Sequence, residues 1–241
     1  SLADDGYLFD PDSEYGSQMN GALVPLTSFA GCPGLVMLGE PGIGKSTEFE
    51  ELARSVEEEV GNTGDTLIRI DLREYQTDGR LIADGFDNQV VHEWVEGDHN
   101  LYVLFDSLDE GRLEIRNIAA VIAGQLRRLG DHADRLRIRI ACRTAEWPTS
   151  LESALCDVWG EEQVRIVELA PLRRLDIAVA AEAENVDSDG FLDNVSQREA
   201  QPFAINPITL NFLLGTYENC GKVYVIDFGL SNLVTLSIIT R

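Results

Sequence analysis

The chain has 241 residues, of which 44% are hydrophobic and 25% charged, as expected for one large soluble α/β domain with at most a small helical appendage. Nineteen basic residues stand against 42 acidic ones, and this net charge of −23 argues against broad binding of nucleic acid or anionic membranes. Four scattered cysteines without a C-x-x-C pair, no visible secretory signal and no apolar run of membrane-spanning length favour a reducing, cytoplasmic setting.

A glycine-rich stretch follows the first predicted strand, at residues 35–38, after a polar and turn-rich leader. It fits G-x-x-x-x-G-K-[ST], in which backbone N–H groups cradle phosphates, the lysine reaches the β- and γ-phosphates and the hydroxyl coordinates Mg²⁺. A helix beginning near Ser46 adds the positive end of its dipole. We therefore predict that a nucleoside triphosphate is bound by Gly39, Glu40, Pro41, Gly42, Ile43, Gly44, Lys45, Ser46 and Thr47.

Strands and helices then alternate along the chain. Further strands are predicted at 66–72, 101–105, 137–142 and 164–169, separated by helices at 46–60, 80–96, 113–129 and 151–160. This alternation is typical of a mostly parallel sheet with helices on both faces, whose right-handed crossovers bring all carboxyl ends to one edge. The arginines at 137 and 139 suggest that the fourth strand is less buried at its start. Residues 172–219 are predicted helical, with one helix beginning near Pro207.

Acidic residues follow the third strand directly. Asp106 ends this apolar run, where a carboxylate can hold the Mg²⁺ that bridges the β- and γ-phosphates. Glu110 is our first choice for the general base that deprotonates the attacking water, with Asp109 as a partner in the metal or water network. Alternatively, either acid serves as a helix N-terminal residue stabilised by the helix dipole.

Arg143 ends the next strand. A guanidinium there can distinguish a triphosphate from a diphosphate and stabilise charge in the transition state. The alternative is a salt bridge to the acidic surface. Thr144 beside it is a weaker candidate for a supporting hydrogen bond.

Several segments together resemble the NACHT branch of the STAND P-loop NTPases, an ASCE-type fold. These are GEPGIGKST, LFDSLDE, IACRT, VELAPLRRLDI and INPITLNFLL, and the match covers roughly residues 30–219. The sequence looks most like the NTPase modules of bacterial antiviral STAND proteins, relatives of the NOD-like receptors. In the ASCE arrangement the Arg143 strand lies between the strands that lead to Lys45 and Asp106.

The resemblance implies a slow ATP hydrolase that acts as a switch. ADP holds a closed monomer, and a trigger permits ATP binding and self-association, which activates an effector. Lys45 and Ser46 would bind phosphate and Mg²⁺, Asp106 would be the Walker B carboxylate, Arg143 the sensor 1 arginine and Pro207 a residue near adenine. The implied partners are ATP or ADP with Mg²⁺, a phage or other protein trigger and a fused effector, without direct contact to nucleic acid or membrane.

Four regions are expected in a chain that we take for a fragment of a longer protein. They are a leader at 1–30 near the nucleotide site, a P-loop NTPase core at 31–170, a helical lid at 171–220 and an uncertain tail at 221–241 that begins a truncated next domain. Two other functions stay open. One is a non-regulatory P-loop enzyme, such as a small-molecule kinase or a motor ATPase; the other is a module that holds nucleotide without hydrolysis. The D-x-x-D-E ending favours hydrolysis, because a pure binder needs no carboxylate beyond Asp106.

Overall fold

The computed structural model describes residues 5–8, 10, 23–115 and 117–223. These residues form two compact units. The sheet unit comprises the described residues of 26–40 and 45–168. The helical unit comprises Pro41–Gly44, the described part of residues 1–25 and residues 169–223. Most of the expected leader and nearly all of the expected tail lie outside the described residues.

Five strands build the sheet unit. They are β1 (Gly34–Leu38), β2 (Thr66–Asp71), β3 (Leu101–Asp106), β4 (Leu136–Cys142) and β5 (Val164–Glu168). Their spatial order is β2-β3-β4-β1-β5, and each neighbouring pair is parallel. The predicted parallel α/β sheet is therefore confirmed, and β4 lies between β1 and β3 as expected. Because the strands are parallel, the carboxyl ends of β1, β3 and β4 lie side by side at one edge.

Six helices belong to the sheet unit: α1 (Lys45–Thr63), α2 (Asp78–Gly85), α3 (Gln89–Glu96), α4 (Leu108–Glu114), α5 (Ile118–Arg128) and α6 (Thr149–Trp159). Two of them replace the single helix expected at 80–96. The break occurs because the Asn88 side chain accepts the backbone N–H of Val91 at 2.9 Å and starts a new helix.

The helix expected at 113–129 is present over Ile118–Arg128 only, and its expected start at 113 is wrong. The chain instead forms α4, which starts at Leu108, and α5, with Ile115 in an extended conformation between them (φ −110°). Ile115, Ile118 and Ile122 are all buried. Their spacing continues the helical periodicity across the break, so the pattern of apolar residues does not show it.

The expectation that β4 is less buried at its start than β3 holds for the half-buried Arg137 but not for Arg139. The residue is only 1% exposed. Its guanidinium donates to the carbonyl oxygens of Ala30, Cys32 and Pro33 at 2.8, 2.8 and 3.2 Å, and it lies over the Tyr102 ring at 5.9 Å. Burial lowers its pKa to about 10. The segment before β1 therefore supplies the acceptors that a buried charge requires.

The helical unit contains α7 (Arg174–Ala183), α8 (Ser188–Gln197), α9 (Gln201–Ala204) and α10 (Pro207–Cys220). It has its own apolar core, which includes Tyr7, Ile177, Phe191, Val195 and Leu213. At the start of α10 the Asn206 carboxamide oxygen accepts the backbone N–H of Ile208 at 3.1 Å. Pro207 follows this cap in the first turn, where its fixed φ suits the helix.

Gly111 in α4 provides a test of this packing. A Cβ added to it would lie 2.7 Å from Leu72 Cβ and 3.0 Å from the Leu72 carbonyl oxygen. We expect Gly111→Ala to lower the free energy of unfolding by about 1–3 kcal/mol, because the close contact leaves no room for a methyl group. Gly124→Ala in α5 is the matched control, since an added Cβ meets nothing within 4 Å, and it should raise stability by up to about 1 kcal/mol. Urea unfolding that shows equal stability for the two variants would contradict the close contact.

Candidate active site

The phosphate loop starts at the end of β1 and leads into α1. The Gly39 N–H donates to the Cys142 carbonyl oxygen at 3.3 Å, which joins the loop to the end of β4. Burial raises the pKa of the Cys142 thiol to about 12, and the charges of Asp109 and Lys45 also act on it. This buried thiol is therefore too weakly acidic to act as a nucleophile.

The tip of the phosphate loop has positive φ angles at two glycines, as expected for a phosphate-binding loop. Gly42 and Gly44 have φ of 84° and 93°, a region that glycine adopts without steric cost. Backbone of this kind turns successive N–H groups toward an anion. Within the helical unit, the Ile208 N–H donates to the Gly42 carbonyl oxygen at 3.4 Å. Pro207 Cγ lies 3.5 Å from the place of a Cβ on Gly44, so the predicted nucleotide contact Pro207 lies at the loop tip.

Asp106 occupies the end of β3 as expected. One carboxylate oxygen accepts the Ser107 N–H at 2.7 Å. Burial raises the pKa of Asp106, while that hydrogen bond and the charge of Lys45 oppose the rise. Ser107 has a left-handed backbone (φ 58°), which costs a non-glycine residue about 1–3 kcal/mol and is common at functional sites. This sharp turn starts α4 at once and places Asp109 and Glu110 in its first turn.

Asp109 and Arg143 form a tight pair. Arg143 Nε lies 2.8 Å from Asp109 Oδ2, and the Arg143 backbone N–H donates to Asp109 Oδ1 at 3.1 Å. The Asp109 side chain is 4% exposed and that of Arg143 45%. Both oxygens of Asp109 thus brace the arginine from the protein side while leaving part of the guanidinium accessible.

Glu110 is the accessible acid of the pair predicted for catalysis. Its side chain is 42% exposed, and its Oε1 lies 3.5 Å from Arg143 Nη2. Arg143 therefore contacts both acids of the D-E pair. This geometry suits Glu110 for contact with a water molecule and Asp109 for holding Arg143 in place.

The oxygen donors present suit Mg²⁺. Ser46 is exposed at the start of α1, and Asp106 is half-buried at the end of β3. Mg²⁺ prefers hard oxygen ligands and usually completes its shell with water and substrate phosphates. Among the described residues, no group of three or more histidine, cysteine, aspartate or glutamate side chains could hold a metal by itself. The residues therefore fit an ion that arrives with a nucleotide.

The remaining loop residues differ in exposure, and Thr144 has a defined partner. Ile43 is buried, Glu40 half-buried, and Pro41 and Thr47 exposed. The Thr144 hydroxyl donates to Glu168 Oε1 at 3.0 Å, which connects the ends of β4 and β5. Thr144 therefore donates its hydrogen bond to Glu168, the last residue of β5.

Two further residues at the same edge, Asp71 and Arg73, are not predicted from the sequence. Asp71 ends β2 and is in register with Asp106. It accepts hydrogen bonds from Arg73 Nε at 2.9 Å and Nη2 at 2.6 Å. Their only signal in the sequence is a polar residue at a predicted strand end, which by itself matches no motif.

No protein-family model and no curated protein matches this sequence. Solved structures similar to this chain include Orc1 of Aeropyrum pernix in complex with DNA, with a TM-score of 0.48 and 15% identity over 80% of this chain and 56% of that chain. Cdc6p from Pyrobaculum aerophilum has a TM-score of 0.48 and 14% identity, over 92% and 68% of the two chains. AMPPCP-bound DnaA from Aquifex aeolicus has a TM-score of 0.47 and 12% identity, over 90% and 66%. This chain spans little more than half of the Orc1 chain, and identities this low concern the fold alone.

The exclusion of direct nucleic-acid contact is wrong. The similar Orc1 structure is in complex with DNA. Net charge is an average over the whole chain, whereas a phosphate backbone is held by local basic groups, so an acidic total excludes no such contact. Within the part of the chain that the structure describes, no helix is both long and apolar enough to cross a membrane.

The strand order, together with the phosphate loop after β1, is that of a P-loop NTPase.

Asp106 yields a prediction on stability and pH. Because its pKa is raised in the folded state, the folded protein binds more protons than the unfolded chain, and stability falls as pH rises through this window. Without ligand, Asp106→Asn should therefore melt at a higher temperature than the parent at pH 7, and the difference should shrink toward pH 3. Asp71→Asn is the matched control of opposite sign, since the hydrogen bonds from the Arg73 side chain lower the pKa of Asp71. Thermal melts from pH 3 to 7 check this prediction. If Asp106→Asn were less stable than the parent at pH 7, burial of the ionised Asp106 carboxylate would not destabilise the folded protein, contrary to the prediction.

Proposed function

We propose that this chain is an ATP-binding and slowly hydrolysing NTPase module that acts as a nucleotide-dependent oligomerisation switch of the STAND/NACHT type, in antiviral defence signalling. The observation that carries the proposal is the arrangement after β1, β3 and β4. Lys45 acts on the half-buried Asp106, and Arg143 is held by Asp109 beside the exposed Glu110. The proposal keeps the protein in the cytoplasm, since Cys32, Cys142 and Cys156 are free thiols.

Each residue has a separate role in this proposal. Lys45 binds the β- and γ-phosphates, and Ser46 and Asp106 hold Mg²⁺, which when bound neutralises charge on the phosphates. Glu110 orients the attacking water and accepts its proton. Arg143 binds the γ-phosphate, and Asp109 restricts the orientation of its guanidinium. The choice of adenine over guanine rests on the family resemblance.

Hydrolysis is favoured over simple nucleotide storage by the surroundings of Arg143. The Asp109 carboxylate is 4% exposed, and the arginine that pairs with it stays 45% exposed. Here the exposed part of the guanidinium lies 3.5 Å from Glu110, itself 42% exposed. An accessible cation can stabilise charge on a phosphoryl group, and an accessible carboxylate can orient the attacking water.

A regulatory role is supported by the contacts of the loop tip. Residues Pro41–Gly44 belong to the helical unit, and Gly42 accepts a hydrogen bond from Ile208 in the first turn of α10. A change in the loop backbone on nucleotide binding therefore acts directly on α10. We infer that this contact lets nucleotide state bias the helical unit, and through it self-association.

Lys45→Ala and Glu110→Gln separate binding from hydrolysis. Lys45→Ala should weaken ATP binding at least about tenfold, because a charged hydrogen bond contributes about 1.5–3 kcal/mol. Glu110→Gln should bind ATP like the parent but release phosphate about 100-fold more slowly, the usual contribution of a general base. The control is Arg127→Ala, an exposed arginine paired with Asp157 at 2.9 Å. Calorimetry measures the ATP affinity of each variant, and a phosphate-release assay measures its turnover. Undiminished ATP affinity in Lys45→Ala would refute the nucleotide site. Turnover of Glu110→Gln equal to that of the parent would refute the assignment of Glu110 as the general base.

The switch predicts a change in mass with nucleotide. Glu110→Gln keeps ATP intact, so with ATP and Mg²⁺ it should form a larger species in light scattering than with ADP. Lys45→Ala should stay monomeric under both conditions. A mass that is the same with ATP, with ADP and without nucleotide would contradict the switch and favour a module that merely holds nucleotide.

A further inference from the structure

The chain segment that begins with Arg143 is attached to α4 at both of its ends. At the first end, the Asp109 carboxylate accepts the Arg143 backbone N–H at 3.1 Å and lies 2.8 Å from its Nε. At the other end, Arg112 Nη1 donates to the Glu146 carbonyl oxygen and lies 3.2 Å from Glu146 Oε2. The short turn Thr144–Glu146 lies between these contacts. Arg112 therefore holds the segment that carries Arg143 at a second point.

The spacing of the residues in α4 and in the turn explains this double attachment. Asp109 and Arg112 are three positions apart, so their side chains leave the same face of the helix. Arg143 and Glu146 are also three positions apart, and the Glu146 N–H donates to the Arg143 carbonyl oxygen at 3.0 Å, which closes the turn. Each end of the segment thus contacts a side chain of opposite charge on α4.

A third contact joins the same turn to the sheet. The Thr144 hydroxyl, in the middle of the segment, donates to Glu168 Oε1 at the end of β5 at 3.0 Å. The turn is therefore held from α4 on two sides of this bond. A segment with one attachment point can rotate about it, whereas several attachment points fix its orientation.

The orientation of this segment bears on the proposed chemistry. Arg143 Nη2 lies 3.5 Å from Glu110 Oε1, and Glu110 belongs to α4, the helix to which the segment is attached. The contacts made by Asp109 and Arg112 therefore set the place of the arginine relative to this acid.

We propose that Arg112 is a positioning residue for Arg143, because by holding Glu146 it keeps the Arg143 guanidinium aligned with Glu110. This inference rests on the proposed function, in which Arg143 binds the γ-phosphate and Glu110 is the general base. Alignment of these two groups favours the chemical step over ATP binding. Arg112 contacts Glu146 and acts on the reaction through the turn.

The first test compares steady-state ATP hydrolysis by the parent, Arg112→Ala, Arg112→Lys and Arg127→Ala. Arg112→Ala should lower kcat about tenfold and change KM less than about threefold, because alignment is lost while the phosphate-binding groups remain. Arg112→Lys should lose less activity, since a lysine keeps the charge and a donor for Glu146 but not the planar guanidinium. A kcat of Arg112→Ala within about twofold of the parent would overturn the inference.

Arg127→Ala is the matched control. It removes another partly exposed pair, in which Arg127 Nη2 lies 2.9 Å from Asp157 Oδ2. Such pairs add little to stability, and the Arg112 and Glu146 side chains are themselves 37% and 53% exposed. Arg127→Ala should therefore match the parent in kcat. An equal loss of kcat in Arg127→Ala and Arg112→Ala would overturn the inference.

A double-mutant cycle with Arg143→Ala distinguishes positioning from general damage. If Arg112 acts through Arg143, Arg112→Ala should lower single-turnover hydrolysis less than about twofold in the Arg143→Ala background. An equal tenfold loss in both backgrounds would overturn the inference. A parent without ATP hydrolysis would refute the proposed function and this inference together. Loss of hydrolysis in Glu110→Gln with full activity in Arg112→Ala would refute the inference alone.

Discussion

The parallel pairing of β4 between β1 and β3 is the constraint on which the candidate site depends. In this register Leu38 lies opposite Cys142, and Phe105 lies opposite Ile140. The three strands therefore end at the same level, and the residues that follow them meet at one edge. Lys45, Asp106 and Arg143 follow these strand ends and come together there although they are far apart in the chain.

Two acidic residues at this edge, Asp109 and Asp106, differ in how far their charges are compensated by neighbouring groups. Asp109 is buried with Arg143 contacting both of its oxygens, whereas Asp106 is half-buried and its pKa is raised by that burial. A carboxylate kept in an unfavourable environment lowers the stability of the folded protein and is free to bind a cation. Asp109 thus supports an arginine, while Asp106 remains available for a ligand.

Motifs and strand ends were predictable from sequence because they depend on local pattern. The glycines of the phosphate loop and the apolar run that ends at Asp106 follow from spacing and alternation. The position of β4 between β1 and β3 was expected from the family resemblance. Long-range contacts were not predictable. Arg139 looks like a surface residue in an alternating strand, yet it binds the carbonyl of Ala30, 109 positions away. Arg73 likewise matches no motif, and its pairing with Asp71 depends on the short turn that follows β2.

The central claim is that the residues after β1, β3 and β4 bind a nucleoside triphosphate with Mg²⁺. A crystal structure of this protein with Mg²⁺ and AMPPCP tests it most directly. The γ-phosphate should lie within hydrogen-bond distance of Lys45 Nζ and Arg143, and the ion should lie between the phosphates, Ser46 Oγ and the Asp106 carboxylate. A nucleotide whose phosphates lie elsewhere, or an ion bound away from Asp106, would contradict it.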